Sequence, residues 1–267
     1  MMVILILLLS VFQVTVMDYL IRNPDYYQLD AYTVEQDAFR SMILGEMLVS
    51  QTTFDYDLLT TAMIEQEFDL TKFNTLTYEN KYILKHKSTE YGKLKKAYES
   101  IFRDLKYFPI PKSSRSDTPP ITFSNDWMNT RTYGGKRGHE GCDIMGNERE
   151  RGYYPVVSIT DGTVEKIGWL EQGGWRIGIR SPSGLYLYYA HLYGYSKKRN
   201  VGDFVQAGEL LGFMGDSGYG KTEGTVGNFD VHLHLGLYLK TPHHAELSIN
   251  PYWILKYLQK NQLKYHY

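Results

Sequence analysis

A proline- and serine-rich break over residues 108–120 divides this chain into two textures that no single repeating architecture can satisfy. Pro109, Pro111, Pro119 and Pro120, with Ser113, Ser114 and Ser116 between them, remove amide donors and push their neighbours out of helical geometry. The stretch therefore predicts an extended linker and a domain boundary. Before the break, Tyr91, Leu94, Tyr98, Ile101, Phe102 and Leu105 recur at three-and-four spacing. Lys93, Lys95, Lys96, Glu99 and Arg103 fill the other side, as a helix with one buried face requires. Residues 37–48 and 56–68 predict shorter helices. The region 18–107 as a whole reads as a helical spacer or a module for a protein partner.

After the break the signals are those of strands. Residues 156–159 and 163–167 flank Asp161-Gly162 and predict a hairpin closed by an Asp-Gly turn. Residues 175–180 and 185–189 flank Ser181-Pro182-Ser183-Gly184 as a second hairpin. Two short strands follow at 201–205 and 210–214, then a half-buried strand at 231–239 and a closing helix at 251–258. The 24 tyrosines and 24 glycines suit strands and tight turns better than a helical bundle. Closely spaced short strands predict a mainly β fold, a compact antiparallel sheet or sandwich over 121–267, behind the helical region.

Residues 1–17 are almost wholly apolar, interrupted mildly by Ser10, Gln13 and Thr15, and their length sits at the lower edge for a membrane-crossing helix. A cleaved signal would carry a basic start and a small-residue cleavage site, but the first basic residue is Arg22 and nothing resembles Ala-x-Ala. The segment is read as an uncleaved membrane anchor. Cleavage would instead give a secreted protein, and a buried core helix is the bland alternative. A net charge of -1 gives no electrostatic case for nucleic acid as a partner. Cys142 is the only cysteine, so no intramolecular disulfide forms, and strand alternation aims it away from Asp143 as a small core residue.

Of the eight histidines, four fall in three short stretches: Gly138-His139-Glu140-Gly141-Cys142-Asp143, Tyr189-Ala190-His191-Leu192 and Asp230-Val231-His232-Leu233-His234. On a strand, His232 and His234 point to one face, about 6.6 Å apart along the backbone, close enough to serve one site. His139 and Asp143 would lie about 13 Å apart on a straight strand, too far for donors that sit about 2.0–2.2 Å from one ion. A bend is required, and Gly141 makes one easy. Imidazole and carboxylate together suit Zn2+ held by three protein ligands with a position left open. Either motif alone turns up in unrelated proteins; all three in one β-rich stretch are a far stronger signal. The spacing leaves open which of His232 and His234 is the ligand. The plainer readings are a half-buried His191 satisfied by a backbone carbonyl and a solvent-facing His232. His86 among its lysines, and His243 and His244 after Pro242, read as surface residues.

The stretches His139-Glu140-Gly141-Cys142-Asp143-Ile144, Tyr189-Ala190-His191-Leu192, the run 201–218 and His232-Leu233-His234-Leu235-Gly236 come in a familiar order and spacing. Over about 127–251 the chain resembles the LytM/lysostaphin-type zinc metallopeptidases. The resemblance implies a compact antiparallel β peptidase domain. It further implies that His139, Asp143 and His234 ligate Zn2+ and that His232 and His191 are the catalytic histidines. The activity it implies is endopeptidase hydrolysis of a stem-peptide or cross-bridge bond in bacterial peptidoglycan by a metal-activated water, in the cell envelope outside the membrane. Two other readings stand beside it, a non-enzymatic wall-binding adaptor and a zinc peptidase acting on other Gly-rich proteins. The choice of bond depends on the loops at 133–138, 171–174 and 219–228, of which the sequence shows only richness in glycine.

Overall fold

The computed structural model describes residues 2–22, 29–72, 87–148 and 150–267, and the expectation for His86 lies outside them. Helix α1 (Met2–Arg22) is apolar, and no residue of the stretch Met2–Leu20 is buried in the rest of the protein. At about 1.5 Å per residue it reaches roughly the 30 Å of a bilayer's hydrocarbon core, so by length and composition it is apolar enough for an anchor or a signal.

Two short helices, α2 (Asp37–Arg40) and α3 (Gly45–Val49), replace the single helix expected over 37–48. Between them Met42 has φ +47° and Gly45 has φ +70°. The chain turns there to lie against residues 69–70: Leu70 N donates to Ile43 O at 2.9 Å, and a Cβ on Gly45 would stand 2.8 Å from Leu70 O. Tertiary packing overrides the helical pattern. Helix α4 (Tyr56–Glu65) is capped by Asp55, whose carboxylate accepts from the amides of Asp57 and Leu58. It stops short of Phe68 because Glu67 and Phe68 take φ of +51° and +65°. Helix α5 (Ser88–Phe102) buries Tyr91, Leu94, Tyr98, Ile101 and Phe102, the stripe that its spacing predicts.

The strands in chain order are β1 (Lys112–Ser113), β2 (Thr122–Phe123), β3 (Thr130–Arg131), β4 (Arg137–Gly138), β5 (Cys142–Met145), β6 (Pro155–Val157) and β7 (Gly162–Leu170). Then come β8 (Gly174–Arg180), β9 (Tyr186–Tyr195), β10 (Phe204–Val205), β11 (Leu210–Met214), β12 (His232–Leu239), β13 (Leu247–Ile249), helix α6 (Tyr252–Leu258) and β14 (Lys264–Tyr265). The main sheet runs β10-β7-β8-β9-β12-β5-β2, antiparallel at every step, with β13 beside β12 and β11 bridging β9 to β6. Cross-strand neighbours Cys142, Leu235, Tyr189 and Ile177 form one buried row, and Leu237, Leu187 and Ile179 form the next. The opposite face carries Asp143, His234, Tyr188 and Tyr238. One slip in register would exchange the two faces.

The hairpin expected around Asp161-Gly162 does not form. Strand β6 pairs with β11, and β7 pairs with β8 and β10. The hydrogen bonds that a hairpin would use are already taken, since Ile159 O accepts from Lys106 N and Tyr107 N, and Ile159 N donates to Tyr189 Oη. Gly162 is glycine for a different reason: a Cβ there would lie 2.5 Å from Arg180 O on the neighbouring strand.

The Pro-rich stretch is extended at 112–113, turns over 114–118, and is laid along the sheet domain. Phe108 and Ile110 are buried, Val157 N donates to Pro109 O, and β1 pairs in parallel with β14. Apolar residues of the helical region and of the sheet belong to one continuous core. Polar contacts cross the same junction: the Arg40 guanidinium donates to Ser248 O at 3.0 Å and stacks over Trp127, and Asn250 N donates to Arg40 O at 2.8 Å.

Candidate metal centre and active-site groove

Asp143 and His234 stand directly opposite each other in the β5–β12 register. His139 joins them from just before β5, where the chain bends at Gly141 as the four-residue spacing requires. Gly141 also makes room for the His234 ring, since a Cβ there would lie 2.4 Å from Cε1 and 2.6 Å from Nε2 of His234. His139 Nε2, His234 Nδ1 and Asp143 Oδ1 form a near-equilateral triangle with sides of 2.9, 3.1 and 3.1 Å. Ligand atoms at about 2.0–2.2 Å from a tetrahedral ion lie about 3.4 Å apart, so the triangle is one face of such a site drawn slightly tight. Two imidazole nitrogens and a carboxylate oxygen are donors that fit Zn2+. Among the described residues this is the group of three or more His, Cys, Asp or Glu that converges so.

A further layer holds the triangle in place. His139 Nδ1 lies 3.1 Å from Asp126 O and 3.3 Å from Asp126 Oδ2, while Arg131 donates to Asp143 Oδ2 at 2.7 Å and to Asp126 Oδ2 at 3.3 Å. Partners of this kind fix ring orientation and leave Asp143 Oδ1 facing the two imidazoles. The sequence does not single out Asp126 or Arg131, because neither stands in a metal-ligand spacing with the histidines. They arrive because the 126–131 loop folds back on the motif, with Met128 N donating to His139 O and His139 N to Asn129 O.

His191 and His232 share the same cavity, their rings 4.7 Å apart. His232 follows from simple alternation with His234. His191 does not: it has φ +60° and sits at a bulge where β9 changes partner, Ala190 pairing with His234 and Leu192 pairing with Met214. Such a bulge turns a side chain out of its strand parity. Both rings are tied by Nδ1 to a backbone carbonyl, His191 to Ser217 O and His232 to Asp230 O, each at 2.7 Å. The carbonyl partner expected for a merely structural His191 is present, but it occupies only one ring nitrogen. Cys142 is buried in the core, and His243 and His244 are exposed beside Glu35.

Burial opposes charge on His139, yet hydrogen bonds to Asp126 and Asp143 outweigh it and raise the group to about 9. Burial likewise favours a neutral Asp143, but hydrogen bonds from His139 and His234 win and hold it well below the usual carboxylate range. Burial lowers His234, with Asp143 opposing in part. His191 lies well below its ordinary value through burial first and then repulsion from His232 and His234. Binding of an ion would need both imidazoles neutral, so it would compete with any proton they carry.

The groove around these residues has a volume of about 710 Å³. Its floor is the tyrosine-bearing face of β9 and β12, which lies flat because Gly178 and Gly236 leave room: a Cβ at either would be 2.0 Å from Tyr186 Oη or 2.7 Å from the Tyr238 ring. Tyr133 and Tyr219 stack at 4.4 Å and join two of the three Gly-rich loops over one end. Phe229 closes on His191 at 4.6 Å.

A fold of this kind around a convergent His-Asp-His group belongs to a known class of hydrolases. The model of peptidase family M23 matches residues 137–248. A crystal structure from Ruminococcus gnavus, assigned as glycyl-glycine endopeptidase LytM, superposes with a TM-score of 0.79 at 41% identity, covering 91% of this chain and 98% of that one. The L-Ala–D-Glu endopeptidase of Bacillus subtilis is 42% identical over 164 residues, 61% of this chain and 47% of that protein. Lysostaphin of Staphylococcus simulans is 39% identical over 83 residues, 30% of this chain and 16% of that protein. This chain thus spans about half the length of the Bacillus relative and less of lysostaphin. The chain belongs to peptidase family M23, a family of metallopeptidases.

Proposed function

We propose that this chain is a zinc-dependent endopeptidase that hydrolyses peptide bonds in bacterial cell-wall peptidoglycan, held outside the membrane by α1. The observation that carries the reading is the ligand triangle with His191 and His232 beside it in one groove. His139, Asp143 and His234 hold the ion, which supplies Lewis acidity toward the scissile carbonyl and the water. His232, with Nδ1–H given to Asp230 O, keeps the Nε2 lone pair for the proton of the attacking water. His191 stays neutral with Nδ1–H on Ser217 O, so its Nε2 accepts from that water and orients it. Arg131 and Asp126 position the ligands.

The relatives' names support a wall peptide as substrate but differ in the bond, one L-Ala–D-Glu and the others glycyl-glycine. An adaptor without activity would have no use for a metal triangle flanked by two half-free imidazoles. The test is to incubate the full chain, purified in neutral detergent and loaded with Zn2+, with purified peptidoglycan and to follow newly released amino groups. We expect release that chelator abolishes and that His232→Ala reduces by about 10²–10⁴-fold with metal content unchanged. Zinc-loaded, folded protein that releases nothing from any wall type would defeat the proposal.

A further inference from the structure

Two guanidinium groups on the groove face have no acid partner among the described residues. Arg137, on β4 just before the His139 bend, and Arg176, on β8, both line the cavity. One nitrogen of each, Arg137 Nε and Arg176 Nη1, is buried from water with no hydrogen-bond partner among the described residues. These nitrogens leave both guanidiniums short of internal partners, and two such cations lining one groove with no described carboxylate beside them leave room for an acidic group from outside. The groove's other charges are accounted for. Arg131 is held by Asp143 and Asp126, Lys166 by Glu246, and the remaining acids, Glu140 and Asp230, are exposed to water.

Both arginines share the cavity wall with Tyr188. Tyr188 in turn stands edge-on to His234, with ring centroids 5.9 Å apart. The two guanidiniums therefore line the same groove as the His139, Asp143 and His234 triangle. Tyr186 Oη, also buried without a partner and on the cavity wall, adds a neutral donor.

We propose that Arg137 and Arg176 form an anion subsite for a free carboxylate on the residue next to the scissile bond, so that the preferred substrate is an acidic peptide and not a glycyl one. The planar fork of arginine matches a carboxylate in geometry as well as charge. The bond broken rests on the peptidase reading above; the binding does not.

The test reads affinity. The Zn2+-loaded full chain, carrying His232→Ala so that the peptide survives, is titrated by calorimetry with an alanyl-glutamyl peptide bearing one free glutamyl carboxyl. The same peptide amidated at that carboxyl is the comparison. We expect the acid to bind at least about tenfold more tightly than the amide, and this ratio to fall toward one in Arg176→Gln and to shrink in Arg137→Gln. Equal affinity for the two peptides overturns the subsite, as does an unchanged ratio in both variants when each melts like its parent. If Arg176→Gln does not fold, Arg137→Gln decides. Acid preference in binding, with neither peptide cleaved by the unsubstituted chain, leaves the subsite standing and counts against the peptidase reading.

Discussion

Replacing Gly141 by alanine adds one methyl group, and the structure says where it would go. The new Cβ would lie 2.4 Å from His234 Cε1, 2.6 Å from His234 Nε2 and 2.7 Å from Leu235 O. Ordinary carbon contacts are about 3.5 Å or more, so the imidazole would have to retreat by roughly 1 Å, and the carbonyl of a central strand cannot follow. Ligand positions are held to about ±0.2 Å in a working site, so a shift of that size removes His234 from the ion. We expect Gly141→Ala to lower zinc affinity by at least about 100-fold and to destabilise the metal-free chain by about 1–3 kcal/mol through overpacking. Affinity would be measured by competition with a chromophoric chelator, and stability by urea unfolding in chelator. The control is Gly92→Ala on α5, where nothing lies within 4 Å of the added methyl; it should leave zinc affinity unchanged and stabilise by about 0.5–1 kcal/mol. Wild-type zinc affinity in folded Gly141→Ala would refute the claim that this glycine makes room for the ligand.

Arg131→Lys keeps the charge but loses the fork that holds Asp143 and Asp126, and zinc affinity should fall by about 10-fold in the same competition assay; no change would remove its orienting role. Phe39→Ala empties a site packed against Tyr98 at 5.2 Å and should cost about 3–5 kcal/mol, lost in one unfolding transition that tryptophan fluorescence and far-UV dichroism both follow, because the core is continuous. Two separate transitions would contradict that continuity. His191 is held neutral in the fold, so the unfolded chain binds its proton more readily, and the metal-free protein should lose stability as pH falls below about 6.5. Unfolding midpoints from pH 7.5 to 5 should show this loss, smaller in His191→Asn; identical slopes would defeat the assignment.

Local chemistry made much of this protein readable from its residues. The α5 stripe, the second hairpin and the alternation along β12 each follow from a spacing that the backbone imposes on any chain, period 3.6 for a helix and 2 for a strand. The need for a bend between His139 and Asp143 follows in the same way, since a straight strand cannot bring them to one ion. What the sequence left open concerns partners distant along the chain. Asp161-Gly162 looks like a hairpin turn, yet β6 finds β11, about fifty residues on, and Gly162 serves the approach of β8. The helix expected over 37–48 is broken by contact with residue 70, which no local propensity contains.

The site divides along the same line. Sequence alone determined the donor types, their order and the shared face of His232 and His234, because these depend on residue identity and strand parity. Tertiary structure decided that His234 Nδ1 meets both His139 Nε2 and Asp143 Oδ1, at 2.9 and 3.1 Å, while His232 Nε2 stands 3.7 Å from Asp143 Oδ1, that a bulge turns His191 into the groove, and that Asp126 and Arg131 hold His139 and Asp143. It also left Arg137 and Arg176 lining the groove with no acid partner among the described residues. These depend on which strands lie side by side and in what register. Register is fixed by burying one face of the whole sheet at once, so no single stretch of the chain carries that information.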